Sequence, residues 1–213
     1  MIKLSDFFEC LDSNDINFYT GVPDSLLSEL SKFIENERSS NHLIAANEGS
    51  AVATAIGYNL TTSKTAAVYL QNSGLGNCVN PILSLAHKDI YSVPICLIIG
   101  WRGEPNVKDE PQHLVQGSVT LKQLELMNIP YEVITSDSDV ENIDKFIHEK
   151  KSLSAPFALV VKKDTFVKSE AVSSENKINL TREEAIKFIV DCARKDDLII
   201  STTGKASREL YEY

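Results

Sequence analysis

The sequence predicts an α/β fold: a mostly parallel sheet with helices on both faces. Three observations carry this. Segments with helical apolar spacing alternate with short strand-like runs along nearly the whole chain. One run, VPICLIIG at 93–100, is continuously apolar, as in a parallel strand covered on both sides. The Gly- and Asn-bearing stretches GVPDS, NEGS and QNSGLGN lie next to strand-like runs, where open parallel sheets place their ligand loops.

In order, SDFFECLDS reads as a short helix capped by Ser5, and INFYT at 16–20 as a strand. PDSLLSELSKFIEN carries Leu26, Leu27, Leu30, Phe33 and Ile34 at helical spacing, with Asp24 as its cap. HLIAA reads as a short buried strand, 48–60 as a helix, 65–71 as a strand and 77–86 as a helix. Residues 101–117 lack periodicity and read as a polar loop. A helix near 118–128, the strand YEVIT, a helix near 139–150 and the strand FALVV complete a first domain over 1–162. The Ser- and Lys-rich stretch 163–180 reads as a linker. From 181 a second unit begins with a capping box, Thr181 to Glu184, then the strand DLIIST, the turn TGKAS and the helix start RELYEY.

The 213 residues are 43% hydrophobic and 24% charged, enough for one well-buried domain and the start of another. A net charge of −9 without a basic run argues against nucleic acid as a partner. No apolar run approaches the roughly 18–20 residues of a membrane span. Cys10, Cys78, Cys96 and Cys192 are widely spaced, which suits buried thiols in a reducing, cytoplasmic setting.

Two tempting motifs fail. GLGNCV has Val79 at the third glycine of a dinucleotide fingerprint, and STTGKAS has Ile199 and Ala206 at the first Gly and the hydroxyl positions of a P-loop. No G-x-S-x-G elbow is present, and His42, His87, His113 and His148 have no metal-ligand spacing, so no metal ligands are expected here. Taken singly, Glu48 is a helix-start acid, Asp24 a cap, and His113, Arg102 and Lys108 surface groups. Their convergence at one edge of a sheet favours a site.

GVPDSLL, NEGSAVATAIGYNL, QNSGLGN, GWRGEP with DEPQH, and STTGKASREL together resemble the phosphonopyruvate decarboxylase family of thiamine diphosphate (ThDP) enzymes, related to the sulfopyruvate decarboxylases. The resemblance runs through essentially the whole chain. It implies a ThDP-binding fold whose first domain holds the aminopyrimidine ring. The diphosphate and Mg2+ would belong to a second domain on a neighbouring subunit, through a Gly-Asp-Gly absent from this sequence. The expectation is therefore the first domain and opening elements of a fused enzyme, assembled as a homodimer or higher homo-oligomer.

The resemblance further implies that Glu48 hydrogen-bonds ring N1′, for which its carboxyl must be withdrawn from water. The small residues after it would let a ring and a partner subunit approach. Asp24 and His113 would move protons and orient substrate, and Pro23, Ser73, Gly74 and Leu75 would contact the cofactor. Arg102 is the first choice for the phosphonate, since its planar fork matches a tetrahedral oxyanion. Asn72 and Lys108 are further candidates for the substrate, a small phosphonate keto acid, and Thr203, Lys205 and Ser207, from the neighbouring domain, for either the diphosphate or the phosphonate. Sulfopyruvate decarboxylation and a non-catalytic assembly domain are the rival readings.

Overall fold

A computed structural model describes residues 1–168, 180–202 and 204–213. The chain divides into two compact units, Met1–Ser169 and Glu170–Tyr213.

The first unit is built on six strands: β1 (Tyr19–Gly21), β2 (His42–Ile44), β3 (Ala66–Gln71), β4 (Ile95–Gly100), β5 (Tyr131–Ile134) and β6 (Phe157–Val161). Every pairing is parallel and the strand order is β2-β1-β3-β4-β6-β5. Helix α1 (Leu4–Ser13) precedes β1, and five helices connect the strands: α2 (Ser28–Glu37), α3 (Glu48–Thr62), α4 (Leu75–Pro81), α5 (Pro111–Leu126) and α6 (Val140–Lys151).

Strand side chains alternate between two buried cores. On one face Ala67, Tyr69, Cys96, Ile98, Phe157 and Leu159 pack with Phe7, Phe8 and Leu11 of α1, Leu30 and Ile34 of α2, and Ile143 and Ile147 of α6. On the other, Val68, Leu70, Leu97, Ile99 and Val160 pack with Ala51, Val52, Ala55 and Ile56 of α3, Leu75 and Cys78 of α4, and Leu124 of α5. This double coverage is why 93–100 carries no polar alternation. The chain leaves β1 for β2 on one side and returns to β3 on the other, so the crevice beyond the carboxyl ends of β1 and β3 is a topological switch point.

Several elements differ from the sequence reading. Ser5 lies inside α1 and donates to Asp6 at 2.8 Å; Lys3 holds the N-cap position without a side-chain bond. β2 is an edge strand, so Leu43 and Ile44 are about half exposed rather than buried. α4 begins at Leu75 and passes at Pro81 into one π-helical turn, Ile82–Ala86. Pro81 has no N–H for the carbonyl four residues back, which is that of Asn77. α5 starts at Pro111, seven residues before its expected start, because proline suits the first helical position. Residues 163–167 belong to the first unit. Ile2 N–H donates to Thr165 O and Val167 N–H to Ile2 O, both at 2.9 Å, and Phe166 is buried.

In the second unit α7 (Arg182–Cys192) carries the expected capping box between Thr181 and Glu184. α8 (Lys205–Tyr211) follows, joined to α7 by an Arg182–Glu209 ion pair. Residues 197–202 form no strand; a strand needs a ladder partner, and the described residues of this unit supply none. Cys192 is exposed here, whereas Cys10, Cys78 and Cys96 are buried free thiols. Among the described residues no helix is long and apolar enough to cross a membrane.

Candidate active site

Four loops meet at the carboxyl edge of the sheet. After β1 the chain runs through Val22 and the exposed Pro23 into Asp24, which is buried. Asp24 Oδ2 accepts the N–H groups of Leu26 and Leu27 at 3.1 and 3.2 Å. It thus caps the turn that leads into α2. Gly100, ending β4, makes room for it, since a Cβ there would stand 2.5 Å from Asp24 Oδ2. Asp24 Oδ1 is buried without a hydrogen-bond partner. Burial pushes the carboxyl's pKa above its ordinary value, opposed by the two turn N–H bonds and the nearby Arg102 charge.

After β2, Asn47 caps α3 by accepting the Ser50 N–H at 2.9 Å, which places Glu48 at the first helical position. Glu48 is half-buried and packs flat on Gly74: a Cβ on that glycine would come within 2.2 Å of Glu48 Oε1. Glu48 Oε2 accepts from Asn77 Nδ2 at 2.8 Å.

After β3 comes a 3-10 turn, Asn72–Gly74. Asn72 is fully buried and its amide is committed to the protein. Nδ2 donates to Arg102 O and Thr120 Oγ1, and Oδ1 accepts the Arg102 N–H. This side chain ties two loops together and has no exposed surface to offer a substrate. Ser73 is exposed and accepts from Gln71 at 2.6 Å. The Leu75 side chain is core.

After β4, Arg102 is held by Asp109 in a two-pronged ion pair, and its remaining nitrogen donates to Ser25 Oγ at 3.1 Å. Asp109 also accepts the Gly103 and Glu110 N–H groups, and the guanidinium holds its carboxyl well below the usual range. Lys108 is exposed beside this pair. His113 lies half-buried in the first turn of α5. Its carbonyl abuts Gly103, and Gly103 O abuts Gly117, so the loop crosses α5 in backbone contact. Arg102, Lys108, Asp109 and Ser25 line a cleft of about 400 Å3 that continues to Lys162 and Thr165.

These contacts form one continuous line, from Glu48 on Gly74, through Asn72 to Arg102, then Ser25 and Asp24. Lys205 and Ser207 lie in the second unit, where Ser207 Oγ donates to Gly204 O. Thr203 lies outside the described residues. The sequence reading left Ser25, Asn77, Gly100 and Asp109 without a role in the site. Pro111 and the glycines were visible signals; pairings across 29 or 7 residues were not.

The family model for the thiamine pyrophosphate enzyme N-terminal TPP binding domain matches residues 4–126. That span includes Asp24, Glu48, Arg102 and His113.

The chain belongs to the thiamine pyrophosphate enzymes.

It is 31% identical to a phosphonopyruvate decarboxylase of Streptomyces viridochromogenes, over 99% of this chain and 57% of that protein. It is 36% identical to the α subunit of a sulfopyruvate decarboxylase of Methanococcus maripaludis, over 57% of this chain and 70% of that subunit. The chain thus spans little more than half the length of the phosphonopyruvate decarboxylases it matches. Benzoylformate decarboxylase from Polynucleobacter necessarius shares the fold, with a TM-score of 0.59 at 15% identity over 90% of this chain and 36% of that one.

The residues present fit the aminopyrimidine end of ThDP. Glu48 offers a carboxylate at a helix start, and Gly74, lacking a side chain, gives that carboxylate room to lie against its backbone. Asp24 brings a second, buried carboxyl with an oxygen still to be satisfied.

Proposed function

We propose that this chain forms the aminopyrimidine-binding side of a ThDP-dependent decarboxylase that converts 3-phosphonopyruvate to phosphonoacetaldehyde and CO2. The observation that carries the reading is Glu48, held at the start of α3 against Gly74 at the sheet's switch point. When bound, ThDP supplies the electron sink for loss of CO2. Glu48 holds the proton at ring N1′. Asp24, whose carboxyl pKa burial holds above its ordinary value, delivers a proton to the substrate carbon after CO2 leaves. His113 orients the oxo acid, and Arg102 with Lys108 receives the phosphonate. Asp109 then acts as the counter-ion that occupies the Nε–Nη2 edge of Arg102, leaving the Nη1 side toward Ser25 for the phosphonate.

Diphosphate and Mg2+ fall to a second domain, to which Lys205 and Ser207 would belong, presented by a neighbouring copy in a homo-oligomer. Three buried free thiols suit a reducing, cytoplasmic location. Sulfopyruvate is the second reading, favoured by the similarity to sulfopyruvate decarboxylase α subunits. The test is a side-by-side assay of CO2 release from the two oxo acids by the assembled enzyme with ThDP and Mg2+. A higher kcat/KM for 3-phosphonopyruvate is expected; preference for sulfopyruvate would overturn the assignment.

A further inference from the structure

Asn77 stands on α4 with both its side chain and its main-chain carbonyl pointed at the start of α3. Its side-chain amide donates to Glu48 Oε2 at 2.8 Å. Its main-chain carbonyl faces Gly49, where a Cβ would stand 2.8 Å away. That carbonyl sits four residues before Pro81, which has no N–H to give it. Gly49, lacking a side chain, lets the first turn of α3 close onto it. On the far side, Gly74 admits the Glu48 carboxyl to within a distance no other residue would allow. Two glycines and one proline therefore bring α3 and α4 together where the Asn77 amide meets the Glu48 carboxylate. An acid at the first turn of a helix otherwise swings freely among rotamers. Here one oxygen is fixed by a charge-assisted hydrogen bond.

We propose that Asn77 is the positioning residue for Glu48, holding Oε2 so that the carboxylate keeps one orientation, between Asn77 and Gly74, for the aminopyrimidine. The inference rests on the reading of Glu48 as the acid that serves the cofactor ring. Asn77 acts on Glu48 as a donor; it touches neither substrate nor a reacting atom. Its replacement costs orientation of Glu48 rather than binding of the oxo acid. An aspartate in its place turns the donor into a second acid, and the pair is competent only while it shares a proton.

The test compares Asn77→Ala, Asn77→Asp and Glu48→Gln in the assembled enzyme. The contact itself is read without turnover, from the Asn77 side-chain 15N–1H resonances in the cofactor-free protein. Glu48→Gln should shift them, and unmoved resonances would overturn the contact. Asn77→Ala should lower kcat roughly tenfold or more while KM for the oxo acid and the thermal unfolding midpoint stay near wild type. Asn77→Asp should be impaired at neutral pH and recover as pH falls, a response a merely structural role would not give. Wild-type kcat in Asn77→Ala, or a pH profile for Asn77→Asp parallel to wild type, overturns the inference while Glu48→Gln remains inactive. Full turnover in Glu48→Gln would instead remove the underlying reading, and the inference with it.

Discussion

Asp24 shows how one side chain can serve the fold and the chemistry at once. Its Oδ2 does ordinary capping work for Leu26 and Leu27, while Oδ1 is buried and unpaired. A buried oxygen without a partner costs stability most when it is charged. The folded chain therefore holds this carboxyl's proton more tightly than the unfolded chain does. The associated stability is present below about pH 4, near the ordinary value of 3.8, and is lost as pH rises through the higher folded value. The substitution Asp24→Asn keeps an acceptor for the turn and removes the titration. Urea unfolding of Asp24→Asn and wild type should show a difference that moves in favour of the variant between pH 4 and pH 7. A constant difference would mean that Asp24 is not held in this state. The sequence reading made Asp24 the cap of α2; the N-cap position is instead Leu27, without a side-chain bond, and Asp24 caps the turn before it. Its burial depends on Gly100, 76 positions later, and was not legible.

At the scale of elements, the site is made by loops that approach helix backbone through glycines. The loop after β4 lies across α5 at Gly103 and Gly117, where a Cβ on Gly117 would stand 1.8 Å from Gly103 O. Trp101 locks the crossing by donating from Nε1 to Gly117 O at 2.9 Å. Because the obstructing atom is backbone, Gly117→Ala cannot be relieved by a side-chain rotation. It should cost roughly 2–3 kcal/mol in urea unfolding and change Trp101 fluorescence, Trp101 being the sole tryptophan. Unchanged emission and stability would contradict the crossing. The alternation of elements was readable because apolar periodicity reports which faces are covered. The start of α5 at Pro111 was misread as loop, although proline followed by a run free of Gly and Pro until 117 was a usable signal. The exposure of β2 was not readable, since only the strand order makes it an edge.

At the scale of the whole molecule, the chain presents the candidate site on one edge of a parallel sheet. Glu48 is half-buried in the single chain, and Leu60, Leu83 and Leu85 near its helix pair stand partly exposed. Both are what the proposed arrangement requires, in which a second domain closes over α3 and α4 and withdraws the carboxyl from water. The first unit's extent to Ser169 was hidden behind a polar composition, because Thr165 and Phe166 are held by pairing with Ile2 at the other end of the unit. The central claim is that Glu48 meets the aminopyrimidine ring. It is tested most directly by an experimental structure of the assembled, ThDP-loaded enzyme. We expect a Glu48 carboxylate oxygen within about 2.5–3.0 Å of ring N1′, with the Asn77 amide still on Oε2. A Glu48 carboxyl turned into bulk solvent, with no ring against it, would contradict the account.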